Sequence, residues 1–127
     1  MQKKPKYFCT LFGINYFHKG LALYRSLNRV SDCFHLFILC MDQKTYKKIR
    51  KLKLKHVTLI KRETFERENK ELLSVKNERS FAEYCWTSTP FLPFYIFKKY
   101  KNVSIVSYID ADLYFFFFYK KINKKYK

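Results

Sequence analysis

Val103-Ser104-Ile105-Val106-Ser107-Tyr108-Ile109 is an apolar, β-favouring run that stops at once on Asp110-Ala111-Asp112-Leu113. Such a run reads as a buried strand. In an extended chain, residues i and i+2 point the same way, so Asp110 and Asp112 present two carboxylates on one side. Two unpaired carboxylates beside an apolar strand are costly unless water solvates them or a hard cation such as Mg²⁺ or Mn²⁺ is shared between them. Two readings therefore stand: a metal site, or a solvated strand end, since Asp-x-Asp is a common triplet.

The rest of the chain supplies partners for that strand. Tyr7–Phe12 reads as strand one, and Gly13-Ile14-Asn15-Tyr16 as a loop. His18–Arg29 carries Leu23, Leu27 and Val30 at helical spacing. Phe34–Cys40 (FHLFILC) is almost continuously apolar, which suits a strand covered on both faces. Asp42 is placed to cap a helix over Gln43–Leu52, in which Tyr46, Ile49 and Leu52 share a face. Val57–Ile60 reads as strand three, and Thr64–Asn77 as one mostly polar surface helix. Ser80 and Glu83 have capping-box spacing, opening a helix to about Thr87, and Pro90 suits the start of another to about Tyr100. The order β-α-β-α-β-α-α-β predicts an α/β fold with a mostly parallel sheet and flanking helices, in one domain. Ligands of such sheets bind at the carboxyl ends of the strands. If strands one and four are neighbours, the loop after Phe12 and the aspartate pair face one crevice.

The composition bounds the function. The chain has 127 residues with 48% hydrophobic and 20% aromatic residues, enough for a packed core. A net charge of +17 is compatible with nucleic acid or an anionic membrane surface as partner. The lysines are spread along the chain, and the excess of Lys, Phe, Tyr, Ile and Asn follows A/T-rich codons, so a nucleic-acid role is not favoured. Cys9, Cys33, Cys40 and Cys85 make no C-x-x-C pair, and His18, His35 and His56 complete no zinc pattern. Cys9, Cys40 and Cys85 lie in apolar runs and read as buried free thiols, which points to a reducing, cytoplasmic location. Trp86 reads as a core residue and Glu83 as a cap. The loop after strand one carries neither G-x-G-x-x-G nor G-x-x-x-x-G-K, so a diphosphate bridged through a metal is the simpler idea for this crevice.

Phe8-Cys9-Thr10-Leu11, the seven residues 12–18, then Lys19-Gly20-Leu21-Ala22-Leu23 and Ser26-Leu27 resemble the start of GT-A-fold glycosyltransferases, most closely the glycogenin-like, family-8 retaining enzymes. Tyr84-Cys85-Trp86-Thr87 and Tyr108-Ile109-Asp110-Ala111-Asp112-Leu113 resemble that family's approach to its metal-binding D-x-D motif. The resemblance covers roughly residues 7–118. It implies a hexosyltransferase-like activity with a nucleotide-diphosphate sugar, usually a UDP-sugar, as donor, an unknown acceptor, and Mn²⁺ (or Mg²⁺) as cofactor. It implies metal and diphosphate contacts for Asp110 and Asp112, and nucleotide contacts for Leu11, Gly13, Ile14, Phe17 and Asp110. The family often has threonine and asparagine where this chain has Phe12-Gly13-Ile14-Asn15. Its basic residue near the start of the helix before D-x-D falls on Ala82 here, which leaves Arg79 as the nearby candidate for diphosphate contact.

Enzymes of that family continue well past D-x-D, whereas here fifteen residues follow Asp112. Residues 1–118 are expected to form the nucleotide-sugar-binding half of a glycosyltransferase domain, and residues 119–127 a lysine-rich tail without predicted fold. The chain is expected to be truncated and to need a second half for transfer. Two other expectations compete: a non-enzymatic binder of polyanions, either nucleic acid or anionic lipid, and a non-functional remnant.

Overall fold

The computed structural model describes residues 4–115. Phe116–Phe118 and the tail expected over residues 119–127 lie outside the described residues. The elements run β1 (Lys6–Phe12), a 3-10 turn (Ile14–Tyr16), α1 (Phe17–Val30), β2 (Phe34–Cys40), α2 (Gln43–Leu52), β3 (Val57–Lys61), α3 (Arg62–Arg67), α4 (Lys70–Lys76), α5 (Phe81–Ser88), α6 (Phe91–Lys99) and β4 (Ser107–Tyr108). The four strands form one parallel sheet in the order β3-β2-β1-β4. The α/β class expected from the sequence holds, and strands one and four are neighbours, which meets the condition for the first loop and the aspartate pair to face one crevice.

The sheet is buried on both faces, which is why β1 and β2 read as continuous apolar runs. Phe8 and Phe12 of β1 and Phe34, Leu36, Ile38 and Cys40 of β2 pack under α1 and α2, with Leu23, Leu27 and Ile49. Cys9, Leu11, Phe37 and Leu39 face the other way, under α3–α6, with Phe65, Leu72, Tyr84, Leu92 and Ile96. Each fully buried Leu, Ile or Phe contributes about 1.5–3 kcal/mol.

Four elements depart from the sequence reading. Thr64–Asn77 is two helices, α3 and α4, not one, and it is not a purely surface segment. Phe65 and Leu72 are almost fully buried, with Phe65 edge-on to Tyr95. The break falls at Asn69, whose side-chain amide donates to Phe65 O at 2.8 Å while its backbone N–H donates to Glu66 O. Strand four pairs only at Ser107 and Tyr108, against Phe8 and Cys9. Continued backwards, that register would set Ser104 opposite Pro5, which has no N–H to offer a ladder. Leu52, expected on the buried face of α2, is 45% exposed at the helix end, where Lys53 turns the chain with φ 49°. Trp86, expected in the core, is 73% exposed.

Candidate functional site

Register sets out the site. Phe12 pairs with Cys40, so two residues further on Ile14 and Asp42 lie at matching heights beyond the sheet. Asp42 is the N-cap of α2: its Oδ1 accepts the Thr45 N–H at 2.8 Å. Its Oδ2 accepts the Ile14 N–H, also at 2.8 Å. Burial alone would raise the Asp42 pKa. Hydrogen bonding from Thr45 and Ile14, with the Arg62 guanidinium nearby, more than offsets this and holds the carboxyl below its ordinary value. Asp42 is thus committed to fixing the first loop. On the other side of β1, Phe8 pairs with Ser107 and Cys9 with Tyr108, and the Ile109 N–H donates to Cys9 O at 2.9 Å, so Asp110 follows directly on the last bond to β1.

Between that loop and α5 opens a cleft of about 870 Å³. Leu11, Gly13, Asn15 and Tyr16 line it from the loop side, Phe81, Ala82, Cys85 and Trp86 from α5, and Tyr108, Asp110 and Asp112 from the end of β4. The aspartates do not sit on an extended strand. Leu113 N–H donates to Asp110 O at 3.1 Å, closing a turn with Asp110 at its first position, where aspartate is favoured. The turn keeps both carboxylates on the cleft and exposed.

Electrostatically the cleft is simple. Among the described residues, its lining carries Asp110 and Asp112 and no lysine, arginine or histidine. Burial pushes the Cys85 thiol up to about 11, so it is neutral near pH 7. Burial, and then the Asp110 charge among other neighbours, raises Tyr108 despite a hydrogen bond with Thr89. Among the described residues, neither aspartate meets a cation at ion-pair distance, and no group of three or more His, Cys, Asp or Glu could hold a metal by itself. Two free carboxylates fit a hard divalent cation that takes its other ligands from a phosphate and water, the usual way Mg²⁺ is bound.

Of the residues singled out in the sequence, the cleft gathers Leu11, Gly13, Asp110 and Asp112. Phe17, the first residue of α1, is buried and carries the Lys48 ammonium over its ring at 4.8 Å. Ile14 is half-buried and meets Asp42 through its amide. Arg79 is exposed in the α4–α5 connection and is not among the lining residues. Tyr16, Phe81, Cys85, Trp86, Thr89 and Tyr108 line the cleft without having been assigned to it. The available signal was the spacing of Phe81 and Cys85 on α5 and of Thr89 at its C-cap, next to the buried pair Tyr84 and Ser88. The capping box that starts α5 is present: Ser80 N–H donates to Glu83 Oε1 at 2.9 Å, and Glu83 N–H donates to Ser80 Oγ at 3.2 Å. Cys85, expected to be buried, is only half-buried because it opens onto the cleft, whereas Cys9 and Cys40 are buried free thiols.

The chain is similar to two proteins of Bacillus subtilis (strain 168), named Uncharacterized protein YfnD (36% identical over 110 residues, 87% of this chain) and Uncharacterized protein YfnF (35% identical over 109 residues, 86% of this chain). It spans about a third of the length of each, 35% in both cases. No family model and no solved structure matches the chain. Among the described residues, no helix is long and apolar enough to cross a membrane.

Proposed function

We propose that the chain is the donor-binding half of a GT-A-type glycosyltransferase, and that its cleft takes a nucleotide-diphosphate sugar, a UDP-sugar in the first instance. Asp110 and Asp112 would hold a divalent cation, Mn²⁺ or Mg²⁺. The observation that carries this reading is the charge of the cleft: among the described residues it is lined by two carboxylates and no cationic side chain, at the carboxyl ends of a parallel sheet. Such a lining repels a bare diphosphate and accepts one that arrives with a divalent metal. Asp110 and Asp112 would hold the cation, which would supply neutralisation of the charge on a departing diphosphate. The chain's own residues do the positioning. Gly13 lets the first loop lie close to Asp42 and Phe81, and Tyr16, Phe81 and Trp86 offer apolar faces to a base or sugar. The acceptor and the transfer step belong to the same proposal.

Calorimetric titration of UDP into the 127-residue chain tests it. Binding is expected with Mn²⁺ present, to be lost on chelation, and to be lost in Asp110→Asn and Asp112→Asn. Equal binding of UDP without metal, or by either variant, would overturn it.

A further inference from the structure

The positive charge of this chain is not evenly distributed. Residues 1–61 carry fourteen Lys and Arg against two acids, Asp32 and Asp42, whereas residues 62–127 carry thirteen against eight acids. The lysines are spread over both parts; the acids are not. The boundary is also a boundary in space: α1 and α2, on one face of the sheet, contain no acidic residue, while α3–α6 cover the other face. All three ion pairs among the described residues join Arg62, Lys76 or Lys99 to Glu66 or Glu68, on the α3–α6 side.

The charge is densest on α2 and the turn after it, where Lys44, Lys47, Lys48, Arg50, Lys51, Lys53 and Lys55 are all exposed within twelve residues. Thr45 and Ile49 hold the inner side of α2 against the sheet. That leaves Lys44, Lys47, Lys48 and Lys51, at i, i+3, i+4 and i+7, as one outward stripe. Lys48 lies over the Phe17 ring and Lys61 over the Tyr46 ring at 5.0 Å, so part of the surface is held in place. Leu52 is exposed at the end of the stripe.

We propose that this α2 surface docks the protein on an anionic lipid bilayer, with the cleft, on the α5 and β4 side of the first loop, left open. A bilayer is favoured over nucleic acid by three features. The stripe is all lysine, a point charge suited to lipid phosphates, and not the arginine fork that reads bases and phosphates. It lacks an exposed aromatic side chain on which a base could stack. Leu52, the last residue of the helix, adds an apolar side chain that is 45% exposed. Each cation near an anionic leaflet is worth roughly a fivefold gain in partitioning, and the attraction fades within a Debye length.

The test is co-sedimentation of the full 127-residue chain with phosphatidylcholine vesicles containing or lacking phosphatidylserine. Two variants of equal net charge are compared, Lys44→Gln/Lys47→Gln/Lys51→Gln on α2 and Lys70→Gln/Lys98→Gln/Lys101→Gln on the other side, with their folds checked by circular dichroism; all six positions are exposed. The wild type is expected to bind only vesicles with phosphatidylserine and to be released in about 1 M salt, where the Debye length falls to about 3 Å. The α2 variant is expected to lose on the order of a hundredfold in partitioning, and the other variant far less. Absence of wild-type binding, or equal losses in the two variants, would overturn the proposal. Tighter binding to duplex DNA or RNA than to the vesicles at the same salt would overturn it in favour of nucleic acid.

Discussion

Asp42 and Ile14, 28 residues apart, are joined by a 2.8 Å hydrogen bond from the Ile14 amide to Oδ2, while Oδ1 of the same carboxylate caps α2 through Thr45. One side chain therefore fixes both the helix after β2 and the loop after β1 that forms one wall of the cleft. Replacing it tests both roles. Asp42→Ala removes the cap and strands the Ile14 amide, for an expected loss of about 2 kcal/mol. Asp42→Ser keeps a capping oxygen but cannot reach both amides, and should recover about half of that loss in urea unfolding. If Asp42→Ser is as stable as wild type, the Ile14 bond contributes nothing; if it is as unstable as Asp42→Ala, the cap contributes nothing.

The same carboxyl gives the pH dependence. Its folded pKa lies below its unfolded value, so its contribution is full above the ordinary aspartate pKa, about 3.9, and is lost as pH falls through the folded value. The stability gap between wild type and Asp42→Ala should be constant from neutral pH down to about 5 and should shrink below about 4. A gap that persists unchanged at pH 2 would assign the loss to packing instead.

Asp42 also shows how far the sequence was legible. Its role as a helix cap could be read from its place before Gln43–Leu52, because capping is local. Its second hydrogen bond could not, because it depends on the pairing of Phe12 with Cys40, a tertiary fact. The same division runs through the chain. β1, β2 and α2 were legible because a sheet covered on both faces and a capped amphipathic helix leave strong local patterns. The α3–α4 break was not, because Phe65 and Leu72 are seven residues apart and fit one continuous helix equally well; the Asn69 side chain, spent on Phe65 O, ends the first helix. Asp110 and Asp112 were found by residue type and position at a strand end. Phe81, Cys85 and Trp86 were missed because which face of α5 meets the cleft is decided by how α5 docks, through the buried Tyr84.

That docking makes a prediction of its own. Tyr84 is buried and its hydroxyl donates to Glu66 Oε2 at 2.5 Å, with Lys76 Nζ 2.9 Å from the same oxygen. Glu66 is 5% exposed, so it relies on these partners. Tyr84→Phe should cost about 1–3 kcal/mol, and Glu66→Ala more, since it leaves a buried hydroxyl and a partly buried ammonium unpaired. Urea denaturation of both checks this. A neutral Tyr84→Phe would mean that apolar packing alone seats α5.

At Gly13 the constraint is space and not backbone strain, for its φ is −106°, which any residue adopts. A Cβ there would lie 2.7 Å from both Asp42 Oδ2 and Phe81 Cζ. The exposed Phe81 ring can swing aside, but Asp42 is held by two amides and cannot. Gly13→Ala is therefore expected to cost about 1–3 kcal/mol in stability and to displace Phe81 from the cleft wall. Gly13→Ala combined with Phe81→Ala removes one of the two clashes; if it restores all the stability, the clash with Asp42 is unimportant.

Trp86 is the chain's one tryptophan, 73% exposed on the wall of the cleft, so its fluorescence reports directly on what enters. The free protein should show the red-shifted emission of a water-exposed indole. If a nucleotide or sugar lies against the α5 wall, UDP with Mn²⁺ should quench that emission or shift it to the blue, and UDP alone should not. Because Asp110 and Asp112 face the same cleft from the end of β4, Asp112→Asn should abolish the change while leaving the spectrum of the free protein as it was. Trp86→Ala should then weaken binding by about 1–3 kcal/mol if the ring stacks on the ligand, and by nothing measurable if it merely borders it. A metal-dependent calorimetric signal without any change at Trp86 would confine the ligand to the β1–β4 side of the cleft.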